Sequence, residues 1–571
     1  MYVKTTSRKT KDGAEVRYLH LAHNQWDPAR QRSVPQVLYS FGREDALDRD
    51  AIKRLVASLA RLLDPADALA ATAGSDLVFL ESRPVGGVHV LDALWRRLNI
   101  GTIICGAGQK SRGRPRDNSA NERVLFALVA SRALAPSSKL AAADWISNDV
   151  HIPGLPATSD DACYRAMDWL YEIRGEVEKE IYYQVADLLN LEVDLLFFDA
   201  TSTYFELPGD DDPVTRNWRG EVTDSEEEAD EDKTTGFRAH GKSKDSRDDL
   251  PQIVIGMAVT RDGIPVRVWC WPGNTGDSTL IRQVKADMRD WSLGRVVWVT
   301  DRGFSSRRNR RYLQGGAGHY IIAEKLRSGS PDIKTALSRQ GRYRTVAGNL
   351  QVKEVQIADA NDRFVICYNP DAATRDAATR AELIAKLGEL ISGPDKLSGT
   401  KRAELRGKIS VMPGLNRFLR VTPGGLLRID KAKIKTEENL DGKYLLRSSD
   451  PKLSAEDIAL GYKQLLEVER GWRDMKSVLD LRPVYHRLEE RIRAHVILCW
   501  LALLLIRITE TTAGGTWPAI RRHIDRLHAG TFTGPAGTFR QRTELTKAQT
   551  DLLARLDIPA PKQIIKLEPA R

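Results

Sequence analysis

Cysteine is scarce and scattered: the five residues Cys105, Cys163, Cys270, Cys367 and Cys499 lie far apart and form no CxxC pair. A disulfide framework and a zinc site are therefore not expected, and a reducing cytoplasm fits. The opening residues, MYVKTTSRKTKDG, lack the apolar stretch of a signal peptide. Long hydrophobic runs are also missing. The greasiest, His495 to Ile506 (HVILCWLALLLI), ends after twelve residues between arginines. A membrane span needs about 20, so this segment reads as a core helix, and no membrane partner is expected. Basic residues are absent from Glu221 to Asp232, where eight carboxylates crowd together. A solvated polar loop is the simplest account of that run; shielding of a basic cleft is the alternative.

What is present is a globular composition, 42% hydrophobic and 29% charged. At 571 residues the chain is too long for one core, and three or four structural units are expected. There are 87 basic against 77 acidic residues, a net charge of +10, and the pI is about 9.2. With the acidic run set aside, the remainder is more basic still and leans towards a polyanionic partner.

Residues 1–80 read as a small β unit (VRYLHLAHN, VPQVLYSFG) followed by a helix. Residues 81–190 show helical spacing and form a candidate DNA-end-binding region. Within them, Lys110-Ser111-Arg112-Gly113-Arg114-Pro115-Arg116 contains RGRP, the core of arms that enter AT-rich minor grooves. Arg112 and Arg114 are the candidate contacts, although a plain basic linker is the simpler reading. Residues 191–326 then run strand, loop, hairpin, helix, strand, strand, with the hairpin turning at Asp262-Gly263. That order is what an RNase H-like sheet requires, with the first and fourth strands adjacent. Residues 327–452 interrupt it with a segment of strands and one helix, too long for a loop, expected as a β-rich insertion. Residues 453–511 return as helices, the first opened by Ser454-x-x-Asp457, a capping box. The tail, 512–571, promises one or two short helices. The fold class expected is α/β.

Two apolar runs, LEVDLLFFDATSTYFE and LGRVVWVTDRGF, read as buried strands that deliver Asp199 and Asp301 where they leave the core. A carboxylate there is unfavourable unless something positive sits on it, and a divalent metal is the usual answer. Downstream, Tyr462, Glu469, Arg473 and Lys476 fall within roughly 60° of one another at about 100° per residue, on one face of one helix. Leu465, Leu466, Val468, Trp472, Met475 and Leu479 supply apolar surface around the rest. Two Asp from strands and one Glu from a helix suit a pair of Mg²⁺ (or Mn²⁺) ions on a phosphodiester, since hard cations prefer carboxylate oxygens.

FFDATSTYFE, VTDRGF and YKQLLEVERGWRDMKSVLDLRPVYH resemble the three signature blocks of bacterial insertion-sequence transposases of the DDE type. More narrowly, the last block is similar to the group with the helix motif Y-x2-R-x3-E-x6-K. Tyr462, Glu469 and Lys476 match it at its spacing, whereas its Arg position holds Leu465. Arg473, one turn past the Glu, is the candidate replacement cation. The resemblance implies Asp199, Asp301 and Glu469 as metal ligands in an RNase H-like core, with a β-rich insertion ahead of the Glu helix. It implies cleavage at the inverted-repeat ends of the chain's own element, joining to target DNA, and a homodimer holding both ends. Members are known to stack a flipped base on a Trp of the insertion. Residues 327–452 contain no Trp, leaving Tyr343, Phe364, Tyr368, Phe418 or Tyr444 for such a role.

Tyr462, Arg473, Lys476 and Arg302 are the further candidates for DNA contact: Tyr462 by a phosphate hydrogen bond or by stacking, the cations through phosphates. Asp277 in GNTGDST reads as a helix N-cap, and His495 as a core histidine. His240 and Lys242 read as loop residues. Two other functions share these residues: a stand-alone RNase H-like nuclease or resolvase, and a catalytically silent DNA-binding derivative.

Overall fold

The run Leu195–Phe198 becomes the middle of a nine-stranded mixed sheet in the computed structural model. It describes residues 1–10, 15–60, 62, 77–110, 117–189, 195–225, 234–289, 291, 295–357, 360–393, 396–534 and 537–569. The chain divides into two compact units. The larger comprises 83–529 and 542–562; the smaller comprises 1–82, 530–541 and 563–571.

In the larger unit the strands are β1 (Leu195–Tyr204), β2 (Gln252–Val259), β3 (Pro265–Pro272), β4 (Val297–Thr300), β5 (His319–Ala323), β6 (Arg344–Ala347), β7 (Leu350–Val355), β8 (Arg363–Tyr368) and β9 (Lys443–Ser448). Their order across the sheet is β6-β7-β8-β9-β5-β4-β1-β2-β3. β1 pairs parallel with β4, and β4 with β5; the other pairings are antiparallel. The β2–β3 turn needs Gly263, whose φ is +74°, a region that favours glycine.

Side chains alternate between two cores, as strand geometry requires. Phe197, Val299 and Ile321 enter one; Phe198, Trp298 and Ile322 enter the other. The first face is covered by α1 (Ser119–Leu134), α2 (Asp160–Leu188), α4 (Ala455–Lys463), α5 (Leu466–Ser477) and α6 (Glu489–Ala513). The second is covered by α3 (Asp277–Asp287) and the helix Arg307–Gln314. The layers are therefore helix, sheet, helix. α6 carries HVILCWLALLLI and is long and apolar enough to cross a membrane, but 94% of its most apolar window is buried against α1, α2 and β3. It is the core helix expected.

The described helices within residues 81–190, the region read as a candidate for DNA-end binding, share one apolar core with the sheet. Four strands of the insertion, β6, β7, β8 and β9, extend the central sheet beyond β5, and Leu419–Val421 pairs with Leu427–Ile429 in a separate two-stranded sheet. The insertion is also more helical than expected: besides Pro370–Leu390 it has helices at Gly399–Ser410 and Lys431–Glu438 around a small apolar core. The tail has the short helices expected, Trp517–Ile524 and Lys547–Arg555, but also strands that were not foreseen: Gly537–Arg542 and Ile564–Pro569, in a four-stranded sheet with His528–Gly534 and Val78–Pro84.

The smaller unit begins with an antiparallel sheet of Tyr2–Lys9, Glu15–Asp27 and Arg32–Arg43, followed by the helix Arg49–Ala60. Arg112, Arg114 and most of the acidic run lie outside the described residues.

Candidate functional site

Asp199 sits within β1 rather than at its end, and Asp301 directly follows β4. Parallel register pairs Phe198 with Thr300, which places the two carboxylates side by side on neighbouring strands. Asp199 has the same parity as Phe197, so it points to the face that carries α4 and α5. Burial pushes its carboxyl up to about 6, the Lys244 charge opposes that rise, and Asp277 and Asp301 add to it.

Lys244 was not singled out by the sequence reading, and Asp277 was read there as a helix N-cap. Asp277 opens α3, but its side chain caps nothing; Lys244 Nζ lies 3.2 Å from its Oδ2. The same ammonium donates to the Ala200 carbonyl at 2.6 Å, and the Lys244 backbone N–H donates to Ser202 Oγ at 2.9 Å. A third acid and its cation thus stand beside Asp199. The signal was available: GKSKD and GNTGD each place a charged residue after a glycine turn flanking the β2–β3 hairpin.

The helix expected to carry Tyr462, Glu469, Arg473 and Lys476 is broken. α4 starts at the capping box of Ser454 and Asp457 and ends at Lys463; α5 starts at Leu466. Between them the turn tightens to three-residue bonds, Leu465 N–H to Tyr462 O and Glu467 N–H to Gln464 O. Leu465 is buried at this junction and packs into the main core. An Arg in its place would have to enter that core, which is a physical reason for the departure from the motif.

Both ends of this two-helix element are anchored to the sheet. Tyr462 donates its hydroxyl to Asp301 Oδ1 at 2.9 Å, and burial together with the Asp301 charge raises the phenol above its usual range. Lys476 donates to Thr201 Oγ1 at 2.8 Å and to Asp245 Oδ1 at 2.9 Å. Arg482 pairs with the other oxygen of Asp245, also at 2.9 Å. Burial lowers the Lys476 ammonium and Asp245 counteracts it. Tyr462 and Lys476, expected on DNA, are therefore engaged with the protein.

Glu469 lies between these anchors but is exposed, and its carboxylate makes no hydrogen bond or ion pair with a described residue. Arg473 is exposed and equally unpaired. Among the described residues, no three acidic, His or Cys side chains converge on one point as a metal cluster. The structure brings Asp199 and Asp301 together and leaves Glu469 on the facing helix. Arg302 is exposed and lines, with Asp301 and Tyr462, a cavity of about 540 Å³ reaching the insertion at Arg327, Arg380 and Tyr444. Of the five insertion aromatics, Phe364 and Phe418 are buried, and Tyr343 pairs with Tyr368. Tyr444 lies against Tyr462, ring centroids 5.7 Å apart, in the cavity of Asp301. His240 is held by Asp210 at 2.5 Å, and His495 is buried in the core.

Two family profiles match this chain. Residues 230–505 match the transposase DDE domain, and residues 3–70 match the N-terminal domain of IS1634 family transposases. The chain belongs to the DDE transposases of insertion sequences. It is a DNA transposase, a metal-dependent enzyme that cleaves and transfers DNA. Asp301, Tyr462, Glu469 and Lys476 fall inside the DDE match, and Asp199 precedes it. A cryo-EM structure of the piggyBac transposase synaptic complex with hairpin DNA is similar at 10% identity and a TM-score of 0.36, over 77% of this chain and 79% of that one. No curated protein matches.

Proposed function

We propose that this transposase cuts the inverted-repeat ends of its own element and joins them to target DNA at Asp199, Asp301 and Glu469, on an RNase H-like core. One observation carries the reading: Asp199 and Asp301 stand on adjacent parallel strands, under a helical element tied to Asp301 by Tyr462 and to β1 by Lys476. The strand order β5-β4-β1-β2-β3, with the first and fourth strands parallel, supports an RNase H-like core. The donor set fits a hard divalent cation, since the proposed ligands are all carboxylates and burial, with Asp277 and Asp301 nearby, raises Asp199 despite the Lys244 charge. Mg²⁺ or Mn²⁺ held by these acids, two ions per site, would activate the attacking water or 3′-hydroxyl and stabilise the leaving oxygen.

The chain's own residues do the rest. Tyr462 fixes the Asp301 carboxylate with a donor that stays protonated at neutral pH. Lys476 and Arg482, clamped on Asp245, hold the end of α5 against β1. Arg473 and Arg302, both exposed, are the cations free to meet phosphates. Tyr444 is the insertion aromatic best placed to meet a base. The protein acts as a homodimer holding two ends, as the family resemblance implies. The deciding experiment is strand transfer of pre-cleaved repeat ends into plasmid DNA with Mg²⁺. Joined products are expected from the wild type; nicking without joining would favour a stand-alone nuclease instead.

A further inference from the structure

The sheet face opposite Glu469 carries a second cavity, of about 620 Å³, near the C-terminal end of α3. Four cations line it, Arg282, Lys285, Arg289 and Arg311, and no carboxylate is among the lining residues. None of the four side chains forms an ion pair or hydrogen bond with a described residue. Uncompensated positive charge gathered in a concavity focuses the field for an anion. Aromatic rings complete the lining. Arg282 lies over the Trp218 ring, 4.5 Å from its centroid, and Lys285 Nζ stands 5.8 Å from that of Trp298.

Trp298 is 1% exposed, and its indole N–H has no hydrogen-bond partner. A buried donor left unsatisfied in a native fold calls for an acceptor. Gly318, also in the lining, is closely packed: a Cβ there would lie 2.3 Å from the Leu313 carbonyl oxygen and 2.9 Å from Lys285 Nζ. Burial and the neighbouring Arg289 hold the Lys285 ammonium below its usual range, a strain that an anion would relieve. Eight residues of α3 separate Lys285 from Asp277, about 12 Å at 1.5 Å per residue, so this pocket is distinct from the carboxylate site.

We propose that this cavity binds a nucleotide unit, with its phosphate on Lys285, Arg289 and Arg311, its planar base against Arg282 and Trp218, and an acceptor on the Trp298 N–H. The volume suits a ligand of that size. The occupant is a nucleotide of an unpaired DNA strand, and this choice of source rests on the transposase reading; a free nucleotide offers the same chemistry.

The test uses full-length protein in EDTA and a fluorescent single-stranded 12-mer lacking terminal-repeat sequence. Its outcome is thereby separate from cleavage at element ends. Lys285→Ala with Arg311→Ala should weaken strand binding by about tenfold or more and lower the salt slope by roughly 1.4, at ~0.7 per phosphate. Trp218→Ala should weaken the 12-mer by about tenfold, the worth of one stacked base, and leave a blunt duplex unchanged. Competition by dAMP at sub-millimolar concentration, lost in the double variant, would assign the pocket to a free nucleotide and overturn the strand. Inorganic phosphate competing as well as dAMP would overturn the base-binding half. Should the double variant melt early, cross-linking of a 5-iodouracil 12-mer to wild-type protein decides: adducts on Trp218 or Tyr312 support the proposal, and adducts only elsewhere refute it. Unchanged binding in folded variants refutes it as well.

Discussion

Tyr462→Phe separates two accounts of the helix motif. Its spacing alone suggests a DNA contact, whereas the structure gives the hydroxyl to Asp301 at 2.9 Å. The substitution keeps the ring and its packing against Tyr444 and removes only that donor. A hydrogen bond to a charged group contributes about 1.5–3 kcal/mol net; Tyr462 is half-buried, so the lower end applies. If the bond serves to hold Asp301 in its productive rotamer, a loss of about 1.4 kcal/mol slows cleavage roughly tenfold. A displacement of the carboxylate by ~1 Å would extend that to about 10²-fold. Affinity for the ends should stay within about twofold, because phosphate contacts elsewhere supply it. Single-turnover nicking of a terminal-repeat duplex, paired with equilibrium gel shifts, reads both quantities. Nicking at wild-type rate with weakened binding would refute the positioning argument and restore the DNA contact.

Asp301→Asn should abolish cleavage in Mg²⁺ while leaving end binding intact, read by nicking against gel shift; cleavage near the wild-type rate would remove Asp301 from the site. Lys476→Ala and Asp245→Asn should each lower stability by about 1–3 kcal/mol in urea unfolding, and the double variant by less than their sum, because the two changes remove the same ion pair, while Arg482 still faces Asp245 and Thr201 still faces Lys476 in the single variants. Arg473→Ala should leave unfolding unchanged and reduce the salt slope of end binding by about one. Lys139 is buried beside Arg132 with no carboxylate against it, and its ammonium is pushed down to about 7 from 10.5. Between those values the unfolded chain binds more protons, so this group adds stability as pH rises and loses it as pH falls towards 7, by up to about 1.4 kcal/mol per pH unit. The stability gap between wild type and Lys139→Met should therefore change in the wild type's favour from pH 7 to 9.5, and a flat difference would refute the shift.

The parts legible in the sequence were those with strong local signals. Runs such as LLFFDATSTY and VVWVT could be only buried strands, and their order put Asp199 near Asp301 before any coordinates did. The Ser454–Asp457 box marked a helix start that the structure keeps. The break at Leu465 was invisible because Gln464, Leu465 and Leu466 are all acceptable helix formers; burial of Leu465 at the junction is a tertiary matter. The tail strands were missed for a different reason. GTFRQR and IIKLEP pair with each other beside His528–Gly534, whose other neighbour, Val78–Pro84, lies hundreds of residues away, and they show little alternation of their own. Asp277 was read as a cap because an Asp opening a helix looks the same whether it serves the helix or an ammonium. Only the position of Lys244 distinguishes the two.

Charge explains why Glu469 stands apart from the two Asp. Like charges crowded together raise one another's pKa, and burial adds to the effect. Asp199 already carries that burden, with Asp277 and Asp301 beside it and Lys244 as the cation acting against the rise. A third site acid brought into the same space would add to that repulsion. Kept hydrated on the exposed side of α5, Glu469 avoids the desolvation that Asp199 undergoes. What the fold fixes instead is the frame around it. Tyr462, seven residues before, is bonded to Asp301; Lys476, seven residues after, is bonded to Thr201 two positions beyond Asp199. With both flanks held, the stretch of α5 that carries Glu469 is fixed against the strands of the two Asp, as the proposed site requires. The entropy of ordering the backbone is met in folding rather than in each catalytic cycle. The buried residue at the motif's Arg position serves the same end, since Leu465 packs the junction of α4 and α5 into the core, while the proposed phosphate contact falls to Arg473 on the open face.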